Sequence, residues 1–230
     1  MSTLSMVLMH DARLQYRYGI YAAYAFVIAF YVVVLTVGRG LLPEWGVGLV
    51  IYTDPAAVGF FFLGALVMLE KGEGVRTALA ITPLRARTYL MAKAVTLGGI
   101  SLVACAILIV VHGGVANPAL LLLAVALSSL AFIGLGIPIA LRFRTVNGYL
   151  VGSASFLMPL IAPAGLALLE PMPVWMAIWP PVAQFRLVLL ATGYGTASAG
   201  EIALMIAIAA GAAAAMLIWA TSSLKKELGK

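Results

Sequence analysis

The feature that most constrains this chain is an apolar run at 18–37 without one charged residue, a pattern that recurs along much of its length. An α-helix rises about 1.5 Å per residue, so about 20 such residues cover a hydrocarbon core of ~30 Å. Comparable runs occupy 53–69, 89–111, 119–141, 149–169 and 202–221, which makes six expected spans in 230 residues. Composition agrees: 64% of the residues are apolar and 10% charged, whereas a soluble domain carries about 25% charge. The reading is an all-α integral membrane protein, a single transmembrane domain over 1–230. Residues 1–17 mix His10, Asp11, Arg13 and Arg17 with Leu4, Val7, Leu8 and Leu14, an amphipathic cytoplasmic helix rather than a cleavable signal.

Local punctuation refines the spans. Asp54 suits an N-cap and Pro55 the first helical position, so the second span is expected to begin there. Lys93 is expected to snorkel toward water, and Pro159 and Pro163 to bend the fifth span. The segment 170–200 carries Pro171, Pro173, Pro180, Pro181 and Arg186, too broken for a full crossing, and reads as an extracytoplasmic, interfacial or re-entrant element. Trp175 and Trp179, four residues apart, suit the headgroup boundary.

Charge orients the spans. Twelve of the fourteen Lys and Arg residues fall on one side: Arg13, Arg17, Lys71, Arg76, Arg85, Arg87, Lys93, Arg142, Arg144, Lys225, Lys226 and Lys230; Arg39 and Arg186 fall on the other. Basic flanks stay in the cytoplasm, so both termini are expected inside a cell membrane. The net charge of +6 is thus spread over membrane flanks, and no nucleic-acid partner is expected.

Several chemistries lack their residues. His10 and His112 are expected on opposite sides, Cys105 stands alone in an apolar run, and Ser128-Ser129 has no nearby base, so neither a metal site nor a catalytic residue is assigned. Ser128 and Ser129 are expected to bond helix carbonyls or bridge to another helix. Between their ends the expected spans hold no Asp, Glu, Lys, Arg or His apart from the near-terminal Lys93, which disfavours an ion-driven carrier; broken-helix carbonyls in the fifth span leave that alternative open. No G-x-x-x-x-G-K-[ST] phosphate loop occurs, so the chain is expected to bind no cofactor and to draw on ATP and Mg held by a partner.

The densest polar sequence is 70–88. Val75, Ala78, Leu79 and Thr82 can share one face of a short helix stopped by Pro83, a knob for a cytosolic partner. A purely structural connector has the same look. In the sixth span Ala203, Ala207, Gly211 and Ala215 form a small-residue stripe, expected to pack closely against another helix, with one from the same chain favoured over a second copy.

Within 70–93, Glu70, Glu73, Gly74, Leu79, Thr82-Pro83, Arg85, Tyr89 and Lys93 follow in the order of the coupling loop of ABC transporter permeases of the type-2 exporter class, which this stretch resembles. Gly59-Phe60-Phe61-Phe62-Leu63-Gly64, Glu70-Lys71 and Thr82-Pro83-Leu84-Arg85 are most similar to the fluoroquinolone-export permease group. Arg76-Thr77 departs from the run many relatives carry. The resemblance implies an exporter subunit moving a hydrophobic or amphiphilic small molecule by alternating access. It implies ATPase subunits as partners, coupled through Glu70, Glu73, Gly74, Val75, Thr77, Leu79, Thr82, Pro83 and Arg85. A second permease chain, identical or not, would complete a central path. The second and fifth spans would line that path with Phe60, Phe61, Phe62, Phe156 and Met158, although lipid-facing or core packing explains those residues as well. A non-ABC transporter and a membrane scaffold or enzyme are the competing classes.

Overall fold

A computed structural model describes residues 3–73 and 85–227. The amphipathic segment forms α1 (Thr3–Arg17), and Gly19, at φ +70°, turns the chain into α2 (Ile20–Val37). The second span is α3 (Gly46–Ala56), a π-helical turn (Ala57–Phe62) and α4 (Leu63–Gly72) in succession. Then come α5 (Ala86–His112), α6 (Pro118–Ala140), and a fifth span broken into α7 (Val146–Gly152), α8 (Ala154–Ile161) and a 3-10 turn (Ala162–Leu168). A second 3-10 turn (Val174–Ile178) and α9 (Pro180–Thr192) precede the last span, α10 (Ala199–Glu227). Six of these helical stretches are long and apolar enough to cross a membrane, so the chain is a multi-pass membrane protein. No strand occurs among the described residues.

The second span corrects the expected boundary. Its helix starts at Gly46, so Asp54 and Pro55 lie inside it rather than at its cap, and Asp54 is buried. Pro55 supplies no N–H and crowds the preceding turn, and the backbone relaxes into the π turn that follows it. Within that turn the Phe60 carbonyl also accepts a tertiary bond from the Tyr149 hydroxyl, 2.5 Å away. Gly64 makes room, since a Cβ there would stand 2.0 Å from the Tyr149 ring.

Helix α6 is the hub, packed against α5, α9, α10 and the π turn. Its close approaches rest on glycine. A Cβ at Gly134 would meet the Met216 backbone of α10 at 2.6 Å, and one at Gly136 the Gly59 carbonyl oxygen at 2.8 Å. The small-residue stripe expected on α10 is not the intrachain contact: Ala203, Ala207, Gly211 and Ala215 are exposed, while Met205, Ala209, Ala213 and Ala220 face the chain's own core. Helical period explains this, because the two sets lie on different faces of α10.

The segment before the last span folds back onto the bundle. Helix α9 is almost wholly buried against α3, α6 and α10 at the end of the bundle opposite the termini. Arg186 on α9 is 1% exposed; it pairs with Glu170 and donates to the carbonyls of Ala167 (2.9 Å) and Thr196 (3.1 Å). Trp175 stays exposed, and Trp179 Nε1 donates to the Leu160 carbonyl at 2.9 Å, tying the segment to the bent fifth span.

Candidate functional site

Three arrangements of side chains stand out, and the first lies at the end of the bundle that carries both termini. Lys93 on α5 is fully buried and donates to Asp11 of α1 and to Glu70 of α4, each at 2.7 Å. Gln15 and Thr96 also donate to Asp11, at 2.7 and 2.6 Å, and the Tyr89 hydroxyl donates to Glu70. An apolar helix face can hold this lysine because two carboxylates replace its water. Lys93 therefore does not snorkel, and its ammonium joins three helices. Arg17 of α1 pairs with Glu73 at the start of the loop. The Tyr18 hydroxyl, and after it the Glu73 carboxylate, hold the exposed Arg17 guanidinium above its ordinary range.

These contacts place two of the expected coupling residues. Glu70 is 2% exposed and lies within the bundle. Glu73 is bound to α1, and Arg85, exposed, stands just before α5. Gly74, Val75, Thr77, Leu79, Thr82 and Pro83 lie outside the described residues.

The second arrangement is a cavity of about 480 Å³ between the second and fifth spans. Its walls include Tyr31, Tyr52, Phe61, Met158, Leu168 and Phe185. Tyr52 and Phe185 stack with centroids 4.9 Å apart, and the Tyr52 hydroxyl donates to the Pro181 carbonyl, so α9 forms one wall. Of the five side chains expected to line a path, Phe61 and Met158 do meet here. Phe60 is buried beside Tyr149, Phe62 packs edge-on to Tyr24, and Phe156 packs against Phe143 and beneath Arg142. Sequence spacing put the three consecutive phenylalanines together, but successive helical residues point in different directions.

The third arrangement was missed from sequence. Asp54 accepts from the Tyr24 hydroxyl and the Ser101 hydroxyl, both at 2.6 Å, and Ser129 donates to Ser101 at 3.1 Å. Four helices, α2, α3, α5 and α6, meet at this carboxylate. An acid therefore does lie inside a span, contrary to expectation, because the second span begins eight residues before Asp54. The signal that could have found it was the apolar 46–53 leading into Asp54. Ser129 bridges helices as expected, whereas the Ser128 hydroxyl is buried with no partner. No group of three or more metal-type side chains occurs among the described residues.

Two curated relatives, both named fluoroquinolones export permease protein, come from Mycobacterium tuberculosis strains CDC 1551 / Oshkosh and ATCC 25618 / H37Rv. Each is 32% identical over 132 residues, which is 57% of this chain and 53% of the relative, so the match spans about half the relatives' length. No solved structure matches the chain. The model of the fluoroquinolones export permease protein family matches residues 2–226, and with six apolar helices arranged as described the chain belongs to that family.

Proposed function

We propose that this chain is the membrane-spanning subunit of an ATP-driven exporter that moves an amphiphilic small molecule. The relatives' name, fluoroquinolones export permease protein, supports a drug-like substrate. The observation that carries the coupling is the Lys93 cluster: it clamps the start of the 74–84 loop to α1 and α5, so a push on the loop moves three helices together. A loop on a mobile root would yield before passing force to the spans. Two ATPase subunits, holding ATP and Mg, close against the loop from the cytoplasm, where the basic end of the bundle lies. A second permease chain completes a path too wide for one six-helix bundle. The cavity between the second and fifth spans receives the substrate by apolar and aromatic contact.

Purification from the host tests this. An ATPase should copurify, and Lys93→Met should uncouple its ATP hydrolysis from substrate while leaving basal hydrolysis in place. Full stimulation in that variant would remove the clamp from the mechanism. An ion-coupled carrier is the second reading, favoured by Asp54, since a buried carboxylate can carry a proton. Export that survives ATP depletion and collapses with the proton gradient would select it.

A further inference from the structure

Of the charged groups buried deepest, two are matched: Lys93 lies between two carboxylates and Arg186 faces Glu170. Asp54, 2% exposed, forms no ion pair among the described residues. What surrounds it is oxygen. The Tyr24 hydroxyl donates to one carboxylate oxygen and the Ser101 hydroxyl to the other, both at 2.6 Å, and the Ser129 hydroxyl stands 3.1 Å from that of Ser101. Tyr24, Ser101 and Ser129 are buried on α2, α5 and α6, so with Asp54 on α3 four helices bring oxygen atoms together. The same α3 holds one more: Pro55 has no N–H to offer the carbonyl of the buried Ile51, one turn earlier. Helical side chains lean toward the preceding turn, which is the turn that carries this carbonyl.

Neutral hydroxyls stabilise a carboxylate but leave its charge uncompensated in a low-dielectric interior, and a bound cation removes that cost. The surroundings define the ion. Its ligands are oxygens without nitrogen or sulfur, which selects a hard cation. One carboxylate balances one positive charge, and a divalent ion would leave a surplus in the bundle. Oxygens 2.6 and 3.1 Å apart suit a small ion, because a larger one would have to spread helices that pack directly on one another. Ser101 and Ser129 can turn their protons to the helix carbonyl four residues back and present lone pairs to the ion. A proton would also cancel the charge, but it needs a single acceptor, whereas this site gathers several.

We propose that Asp54, Ser101 and Ser129 form a sodium site, with Tyr24 orienting the carboxylate from its other oxygen. The ion ties α2, α3, α5 and α6 together at the middle of the bundle. This role stands whether ATP or an ion gradient drives export.

The purified full-length protein tests it, melted in sodium, potassium or choline chloride at one ionic strength and followed by tryptophan fluorescence. Sodium a hundredfold above its Kd should raise the melting temperature by roughly 5–10 °C over choline, and potassium should do far less. Equilibrium dialysis with radioactive sodium should show saturable binding to wild type. Asp54→Asn should bind no sodium and melt at a temperature that sodium does not move. Ser101→Ala and Ser129→Ala should each raise the half-saturating sodium concentration roughly threefold to tenfold, and they decide the matter where D54N fails to fold. Equal melting of wild type in the three salts overturns the proposal. So does sodium binding retained in D54N, or a half-saturating concentration unaltered in both serine variants. Melting that follows pH and ignores sodium would make the counter-ion a proton and overturn it equally.

Discussion

Lys93 holds together parts of the chain that are far apart in sequence: Asp11 lies 82 residues away and Glu70 lies 23 away. Its removal leaves two carboxylates facing each other without a cation. Lys93→Met should therefore cost about 3–5 kcal/mol, read from thermal unfolding of the detergent-purified protein. Neutralising both acids as well, in a D11N/E70Q/K93M triple variant, should recover much of that loss, because the expense lies in the orphaned charges more than in the pair itself. A triple variant as unstable as the single one would mean that the cluster acts by shape alone. Gly64 poses the opposite problem, one of space. Gly64→Ala must push away the Tyr149 ring and with it the bond to the Phe60 carbonyl, and should cost about 1–3 kcal/mol in the same measurement.

Among the elements, α6 and α10 separate two uses of small residues. Gly134→Leu drives a side chain into the α10 backbone and should reduce the yield of folded protein sharply. Gly211→Leu meets no atom of its own chain, since nothing lies within 4 Å of a Cβ there. The fold should tolerate it, with a melting temperature near that of wild type. If the exposed stripe receives a second permease, the same substitution should dissociate the pair, and light scattering of the purified protein would register the smaller mass. A large loss of monomer stability in G211L would contradict the position of the stripe. The π turn after Pro55 is the other element-scale device. It introduces one register offset into the span that carries both Asp54 and Phe61.

For the whole molecule, the distribution of charge and the burial pattern make separate statements. The twelve basic residues that the sequence assigns to one side of the spans predict that this side faces the cytoplasm. Cys105 is buried, so single cysteines can be introduced against a quiet background. With an impermeant maleimide on intact cells, Trp175→Cys should label and Lys230→Cys should label after the membrane is opened and not before. Labelling of K230C from outside would invert the orientation and leave the loop with no cytosolic motor to meet.

The class of fold, the six crossings, the amphipathic start and the broken segment before the last span were all legible in the residues. Each of these follows from local quantities, namely the length of an apolar run, the spacing of prolines and the sign of flanking charges, which need no knowledge of neighbours. Local quantities misjudge Asp54, Lys93 and the α10 stripe for one reason. Whether a polar group is a cap, a snorkelling tip or half of a buried pair depends on residues tens of positions away, and whether a small residue marks a contact depends on which face the rest of the bundle occupies. Tertiary structure alone decided that Tyr24 and Ser101 converge on Asp54 across 30 and 47 residues, that Phe61 reaches the cavity while Phe60 does not, and that α9 closes one wall of it. In lipid the apolar surface of every span is equally content facing outward, so packing and polar pairing, rather than hydrophobicity, choose the partners.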